Sequence, residues 1–291
     1  MPEVLKETSP IKHSADPSVD CELGMVGSLV AHWPEYSMEA AGLALFMFLV
    51  CVYATLLQHP ASPMRHALIR PIWRRLTMGV AVGTTLASIV ETPWGRQSGG
   101  HFNPAITVTF LRLGKVALWD TVFYVLSQFF GATFGAAIAS YALRGRLRHE
   151  AVRSAMITPG FLGETGAFAA ELLISLSLMM AVLFFTNRRA IAPFAPFLIG
   201  AMYALYITFE SPLSGMSMNP ARTFGSAFLA TYWHAIWIYF VAPLSGMLIG
   251  AEIFIRLYGK DAVYCAKLLH AKGKRCIFST CSYSRPIPMT M

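Results

Sequence analysis

The chain has 291 residues, 55% hydrophobic and 13% charged, with mean hydropathy +0.53 and net charge +8. Soluble domains carry about 25% charged residues, so a water-soluble body of this size would lack the charge to cover its surface, and a multi-span membrane protein is indicated. The basic residues sit in short runs between apolar segments and near the C-terminus, a pattern that suits a membrane surface and argues against a nucleic-acid partner.

In chain order, residues 1–35 are polar and of mixed charge. They lack the apolar core of a signal peptide and read as a flexible arm that carries Cys21. Six segments are apolar and long enough to cross a bilayer as helices, near 38–58, 72–91, 119–143, 164–186, 193–210 and 234–257. The body they form, 36–258, divides into halves near 36–145 and 160–258. Residues 259–291 remain as a basic tail with Cys265, Cys276 and Cys281. With Cys51 inside a span, the odd count of five cysteines argues against a disulfide framework.

Two short stretches interrupt this pattern. "SGGHFNPAITVTF" (98–110) and "SGMSMNPARTFGSAF" (214–228) both hold Asn-Pro-Ala, the asparagines lying 116 residues apart. Asn is a favoured N-cap and Pro suits the first helical position, where no N–H is needed. Asn103-Pro104-Ala105 and Asn219-Pro220-Ala221 therefore each start a helix, over 103–112 and 219–229, too short to span. A helix begun in mid-membrane aims free N–H groups and a partial positive charge at whatever lies ahead of it. Arg222, one turn beyond the second cap, is a costly charge at that depth and marks a functional position.

The halves read as repeats. Glu39 and Glu171 each sit early in the first span of a half, and Gly131-xxx-Gly135 and Gly246-xxx-Gly250 follow the motifs by 28 and 27 residues. Gly79 and Gly200 precede them by 24 and 19, which suggests an insertion within 91–97. With three spans per half, the second half enters from the opposite face. Such inverted repeats place a site near the midplane, where broken helices meet. Six spans put both termini on one side, and that side carries 14 of the 23 Lys and Arg, so both termini are expected in the cytoplasm.

At these residues the chain resembles the aquaporin (major intrinsic protein) family over about 38–257, with the "TPWGRQ" stretch and the tail similar to a bacterial branch. The resemblance implies an all-α membrane protein, a six-helix bundle with two re-entrant half-helices, and a homotetramer in the inner membrane with one pore per subunit. It implies motif asparagines at the pore centre and an outer constriction at Met78, Ile207, Met216 and Arg222. It also implies His101 in the inner vestibule, and Glu39 and Glu171 as structural carboxylates that hold the re-entrant loops. Water-selective members carry an aromatic, a histidine and a small residue where this chain has Met78, Ile207 and Met216, and glycerol-conducting members follow the arginine with Asp, where Thr223 stands.

The expected function is a passive channel for water or similarly small uncharged solutes that excludes protons and ions. The alternatives are a broader facilitator for glycerol, urea, ammonia or hydrogen peroxide, and a proton-coupled transporter using Glu39 or Glu171. A pore left vestigial beside a redox- or metal-sensing tail is a third. No nucleophile–base constellation, phosphate-cradling loop or HExxH is present, so neither an enzyme nor a cofactor is expected. In the tail, Cys265, His270, Cys276 and Cys281 do not follow a regular zinc spacing. No metal site is expected there, and Lys267, Lys272, Lys274 and Arg275 suggest contact with anionic headgroups. The pore is expected to be complete by the sixth span.

Overall fold

A computed structural model describes residues 23–270, 273–278 and 280–283. The arm with Cys21 lies outside the described residues up to position 22, and so does Lys272. The regular structure is helical: α1 (Met25–Gln58), α2 (Pro71–Glu91), the half-helix α3 (Pro104–Arg112), α4 (Leu118–Ala142), α5 (Gly163–Thr186), α6 (Ala195–Phe209), the half-helix α7 (Pro220–Ala230) and α8 (Ile238–Tyr258). At 1.5 Å per residue, 21 residues span about 31 Å, the thickness of a hydrocarbon core. Helices α1, α4, α5, α8 and α6 with its leading turn are long and apolar enough to cross. Helix α2 has the length, but Arg74 and Arg75 lie in its first turn. There the Arg74 guanidinium donates to the carbonyls of Leu68 (2.9 Å) and Ile69 (2.8 Å), and Arg75 donates to that of Thr208 (2.9 Å), so both charges are met at the membrane edge.

Helix α1 begins at Met25, so residues 25–35 belong to it and not to a flexible arm. Its 34 residues reach about 51 Å, beyond the hydrocarbon. The extension is held by polar contacts that the spacing along the chain does not reveal. His32 Nδ1 lies 2.7 Å from Asp120 Oδ1, the Tyr36 hydroxyl donates to the same oxygen at 2.6 Å, and Gln97 Nε2 donates to Glu35 at 3.0 Å.

The repeat shows in the packing. Gly131 and Gly135 bring α4 against the backbone of Ala40 and Ala44 in α1. Gly246 and Gly250 bring α8 against Leu172 and Leu176 in α5. The halves meet where α2 crosses α6, and there Gly83 faces Gly200: a Cβ at Gly83 would lie 2.1 Å from the Gly200 carbonyl oxygen, and one at Gly200 would lie 2.5 Å from that of Gly83. Gly83, 20 residues before Asn103, is therefore the counterpart of Gly200, 19 before Asn219. Gly79 instead packs on Ala204 one turn away, so the five-residue insertion inferred from Gly79 shrinks to a single residue.

A substitution tests this crossing. Gly83→Val should cost well over the 1–3 kcal/mol typical of an overpacked core, because the obstacle is backbone on a facing helix. Size-exclusion chromatography in detergent should show loss of the monodisperse species. Gly24→Ala, where an added Cβ meets nothing within 4 Å, should leave the profile unchanged.

Candidate functional site

The two half-helices are built alike. Asn103 and Asn219 are their N-caps. Asn103 Oδ1 accepts from Ala105 N at 2.9 Å, and Asn219 Oδ1 accepts from Ala221 N and Arg222 N at 3.1 and 3.3 Å. Pro104 and Pro220 take the first helical position, where the missing N–H is no loss. The remaining cap donors cross between the halves: Asn103 Nδ2 donates to the Met218 carbonyl and Asn219 Nδ2 to the Phe102 carbonyl, each at 2.7 Å. Each amide group has two N–H donors, so this lock uses one and leaves one.

Phe102 and Met218, immediately before the caps, have positive φ (46° and 53°). The strained turns are held by the two buried carboxyl groups. Glu39 accepts from Ser98 Oγ (2.9 Å), His101 N (3.0 Å), Phe102 N (2.7 Å) and Gln128 Nε2 (2.9 Å). Glu171 accepts from Ser214 Oγ (2.7 Å), Ser217 N (2.6 Å) and Met218 N (2.7 Å). A tyrosine completes each half, Tyr124 donating to the Ser98 carbonyl and Tyr239 to that of Ser214. Both carboxyl groups are fully buried and spend their oxygens on donors of the turns before the half-helices, with Gln128 of α4 added at Glu39. A partner set made of donors fixes them as acceptors.

A narrow cavity runs between the half-helices, its wall including Phe46, His101, Tyr203, Asn219, Arg222 and Leu268. Of the expected pore residues, His101, Asn219 and Arg222 belong to this wall. Asn103 does not, though its neighbour Phe102 does. Met78, Ile207 and Met216 are not part of it either: Ile207 and Met216 are buried nearby and Met78 is half-buried. Tyr203, four residues before Ile207 and so on the same face of α6, supplies an aromatic that the sequence reading passed over. Arg222 makes no ion pair among the described residues. Its Nη1 is buried without a hydrogen-bond partner. An unpartnered buried guanidinium N–H lining a cavity is a donor available to a solute.

His101 stands at the opposite end, and there the tail intrudes. His101 Nε2 lies 2.8 Å from the Ala266 carbonyl, an acceptor only, so Nε2 carries a proton. The ring is sandwiched between Phe110 and Phe278, with centroids at 5.2 and 5.7 Å. Leu268, whose N–H donates to the Gly99 carbonyl at 2.9 Å, forms part of the cavity wall. The cavity is thus not bounded by the six spans alone. Val263, Leu268, Ile277 and Phe278 are buried in the same core as the spanning helices.

Lys267 is buried too, and its Nζ donates to the carbonyls of Arg96 (3.1 Å) and Arg275 (2.6 Å). This overturns its reading as a headgroup contact. Arg275 is spent partly on the Ala31 carbonyl at 3.0 Å, while Lys274 is exposed. Cys265, His270, Cys276 and Cys281, which the spacing did not group, converge: their ligand atoms all lie within 4.8 Å of one another. Hydrogen bonding to Cys276 and Cys281 holds the His270 imidazole up at about 9.

Comparison with known proteins places these features. The family model described as major intrinsic protein matches residues 28–254. The chain is 30% identical to Aquaporin-8 of Mus musculus, over 78% of this chain and 85% of that protein. It is 29% identical to Aquaporin Z of Photorhabdus laumondii, over 54% and 70%. Animal and bacterial relatives match alike, so the likeness does not single out a bacterial branch. An aquaglyceroporin from Plasmodium falciparum shares the fold, with a TM-score of 0.65 at 19% identity over 80% of this chain and 99% of that one.

Proposed function

The chain belongs to the major intrinsic protein family, whose members are membrane channels for water or small solutes and not enzymes, and on that footing we propose that it passes water and similarly small uncharged molecules in file while rejecting protons and ions. The observation that carries this reading is the reciprocal lock of Asn103 and Asn219 at the meeting of two half-helix N-termini. The free N–H of each amide donates to the oxygen of a passing molecule, and the positive helix ends oppose a cation. The use of half-helix dipoles and an arginine to exclude protons and cations is the handling known for aquaporin-type pores. The pore is one per subunit of a homotetramer in the cell's inner membrane, with both termini cytoplasmic.

A broader neutral-solute facilitator is the second reading, favoured by the apolar wall at Leu43, Leu86, Leu178 and Val182. A proton-coupled mechanism through Glu39 or Glu171 has less support, because neither lines the cavity and both are engaged by loop donors.

Stopped-flow light scattering on proteoliposomes, with water, glycerol and urea as permeants, tests the reading. Water should pass without saturation or dependence on a proton gradient. Asn103→Asp and Asn219→Asp each place a carboxylate where it offsets the helix ends. An opposite charge at about 4 Å is worth about 4 kcal/mol in a partly screened site, so planar-bilayer recordings should show a clear rise in cation conductance. Unchanged rejection in both variants would remove the asparagines from the barrier.

A further inference from the structure

We propose that Cys265, His270, Cys276 and Cys281 form a zinc site that fastens the C-terminal tail as a plug over the channel mouth on the side of the termini. The donor set is three thiols and an imidazole, the chemistry of closed structural zinc sites. Tetrahedral bonds of about 2.3 Å to sulfur and 2.0–2.1 Å to nitrogen require ligand atoms about 3.5–3.8 Å apart. Cys265 Sγ and Cys276 Sγ are 3.6 Å apart and Cys281 Sγ is 3.3 Å from His270 Nε2, with the widest separation 4.8 Å. Four ligands from an irregular segment therefore already stand within about 1 Å of a closed site. All four thiols among the described cysteines are free, so no disulfide competes for these three.

The segment has need of such a fastening. Beyond the turn at Lys260–Ala262 its described residues form neither helix nor strand, yet Val263, Leu268, Ile277 and Phe278 are buried. A short irregular segment recovers little hydrogen-bonding energy of its own, and a metal crosslink offsets the entropy of ordering it. Struts to the surrounding elements fix where the knot sits. Tyr264 N donates to Asn187 Oδ1 at 2.6 Å, just past α5, and Thr280 Oγ1 donates to the Gly114 carbonyl at 3.0 Å, just past α3. Ser282 N donates to the Tyr264 carbonyl at 2.8 Å, closing the loop on itself, and Tyr283 stacks on His270 at 4.7 Å.

What the knot holds is the pore end. Residues 266 and 268 lie between the ligands Cys265 and His270, and they are the ones that cap His101 and line the cavity. Phe278, between Cys276 and Cys281, stacks on the same histidine. Loss of the metal frees both stretches at once and opens the mouth, so the site couples zinc occupancy to permeation. This coupling rests on the channel reading; the metal site does not.

The test uses the full chain. Metal analysis of the purified protein should give about one zinc per subunit, and Cys276→Ser/Cys281→Ser should retain less than about a tenth of it. Cobalt exchanged into the wild type should give the absorption bands of tetrahedral thiolate-bound cobalt, absent from the double variant. In proteoliposomes, a membrane-permeable chelator should speed water efflux at least about fivefold, reversed by added zinc, and the double variant should be fast with or without chelator.

Absence of zinc, iron or copper in its place, or a Cys265–Cys276 disulfide in the purified protein would overturn the site. Stoichiometric zinc with flux indifferent to chelation, in a protein that does conduct, would overturn the plug and leave the channel intact. If neither the chelated protein nor the double variant conducts water, the channel reading fails, and the plug with it.

Discussion

In the channel proposed above, Arg222→Val should raise cation conductance and admit larger solutes. The guanidinium is buried in the cavity wall, has no ion-pair partner among the described residues, and leaves Nη1 unbonded. A unit charge about 4 Å from a passing cation opposes it by about 4 kcal/mol at intermediate dielectric, and each 1.4 kcal/mol is about tenfold. Cation conductance in planar bilayers should rise by up to about a thousandfold, with the half-helix ends supplying the residual barrier. Loss of side-chain volume should also raise urea and glycerol flux relative to water. Ile207→His, one helical turn beyond Tyr203, should act in the opposite direction by adding a donor and sharpening the preference for water. If Arg222→Val assembles normally and keeps the wild-type solute profile, the arginine is not the filter. A structurally paired arginine would instead give misfolded protein.

Glu171→Gln should strongly destabilise the folded channel, not alter its chemistry. The glutamate accepts from Ser214 Oγ, Ser217 N and Met218 N in a fully buried pocket. Glutamine offers one acceptor oxygen and turns an NH₂ group on the remaining donors. Each buried donor left unmet costs about 1–3 kcal/mol. The loop concerned carries Met216 and Met218 at positive φ, conformations that survive only when their surroundings enforce them. Thermal unfolding in detergent, followed by loss of the monodisperse peak, should occur well below the wild-type temperature. Glu39→Gln should do the same through Phe102 and His101. Wild-type stability combined with a changed dependence of flux on a proton gradient would instead revive the proton-coupled reading.

Much of this molecule is set by local rules that a sequence carries openly. Asn-Pro-Ala caps a helix because the asparagine side chain satisfies the N–H groups just ahead of it and the proline needs none, so both half-helices were legible to within a residue. The spans follow from apolar length. Glu39 and Glu171 are visible as carboxylates inside apolar spans, and in the structure each accepts from backbone N–H groups of the turn before a half-helix. The bundle also follows from the repeat, since matched small-residue pairs meet matched partners in each half.

Other features depend on which distant segments the fold brings together, and no spacing encodes that. Gly83 rather than Gly79 is the counterpart of Gly200 because two helices cross there and only the crossing point demands a missing side chain. The early start of α1 depends on Asp120 and Gln97, residues far along the chain that meet His32, Tyr36 and Glu35. The tail is the largest case. Its basic residues suggest contact with anionic headgroups, while Val263, Leu268, Ile277 and Phe278 are the apolar signal that it packs. Cys265, His270, Cys276 and Cys281 follow one another at intervals of 5, 6 and 5 residues, which matches neither helical nor strand periodicity. Ligand atoms from an irregular segment come within 4.8 Å only because hydrogen bonds to α5, α3 and the Gly99 turn dictate its path. Local caps and apolar runs are short-range and so were written in the sequence; the closure of this loop over His101 is long-range, and only the tertiary structure decided it.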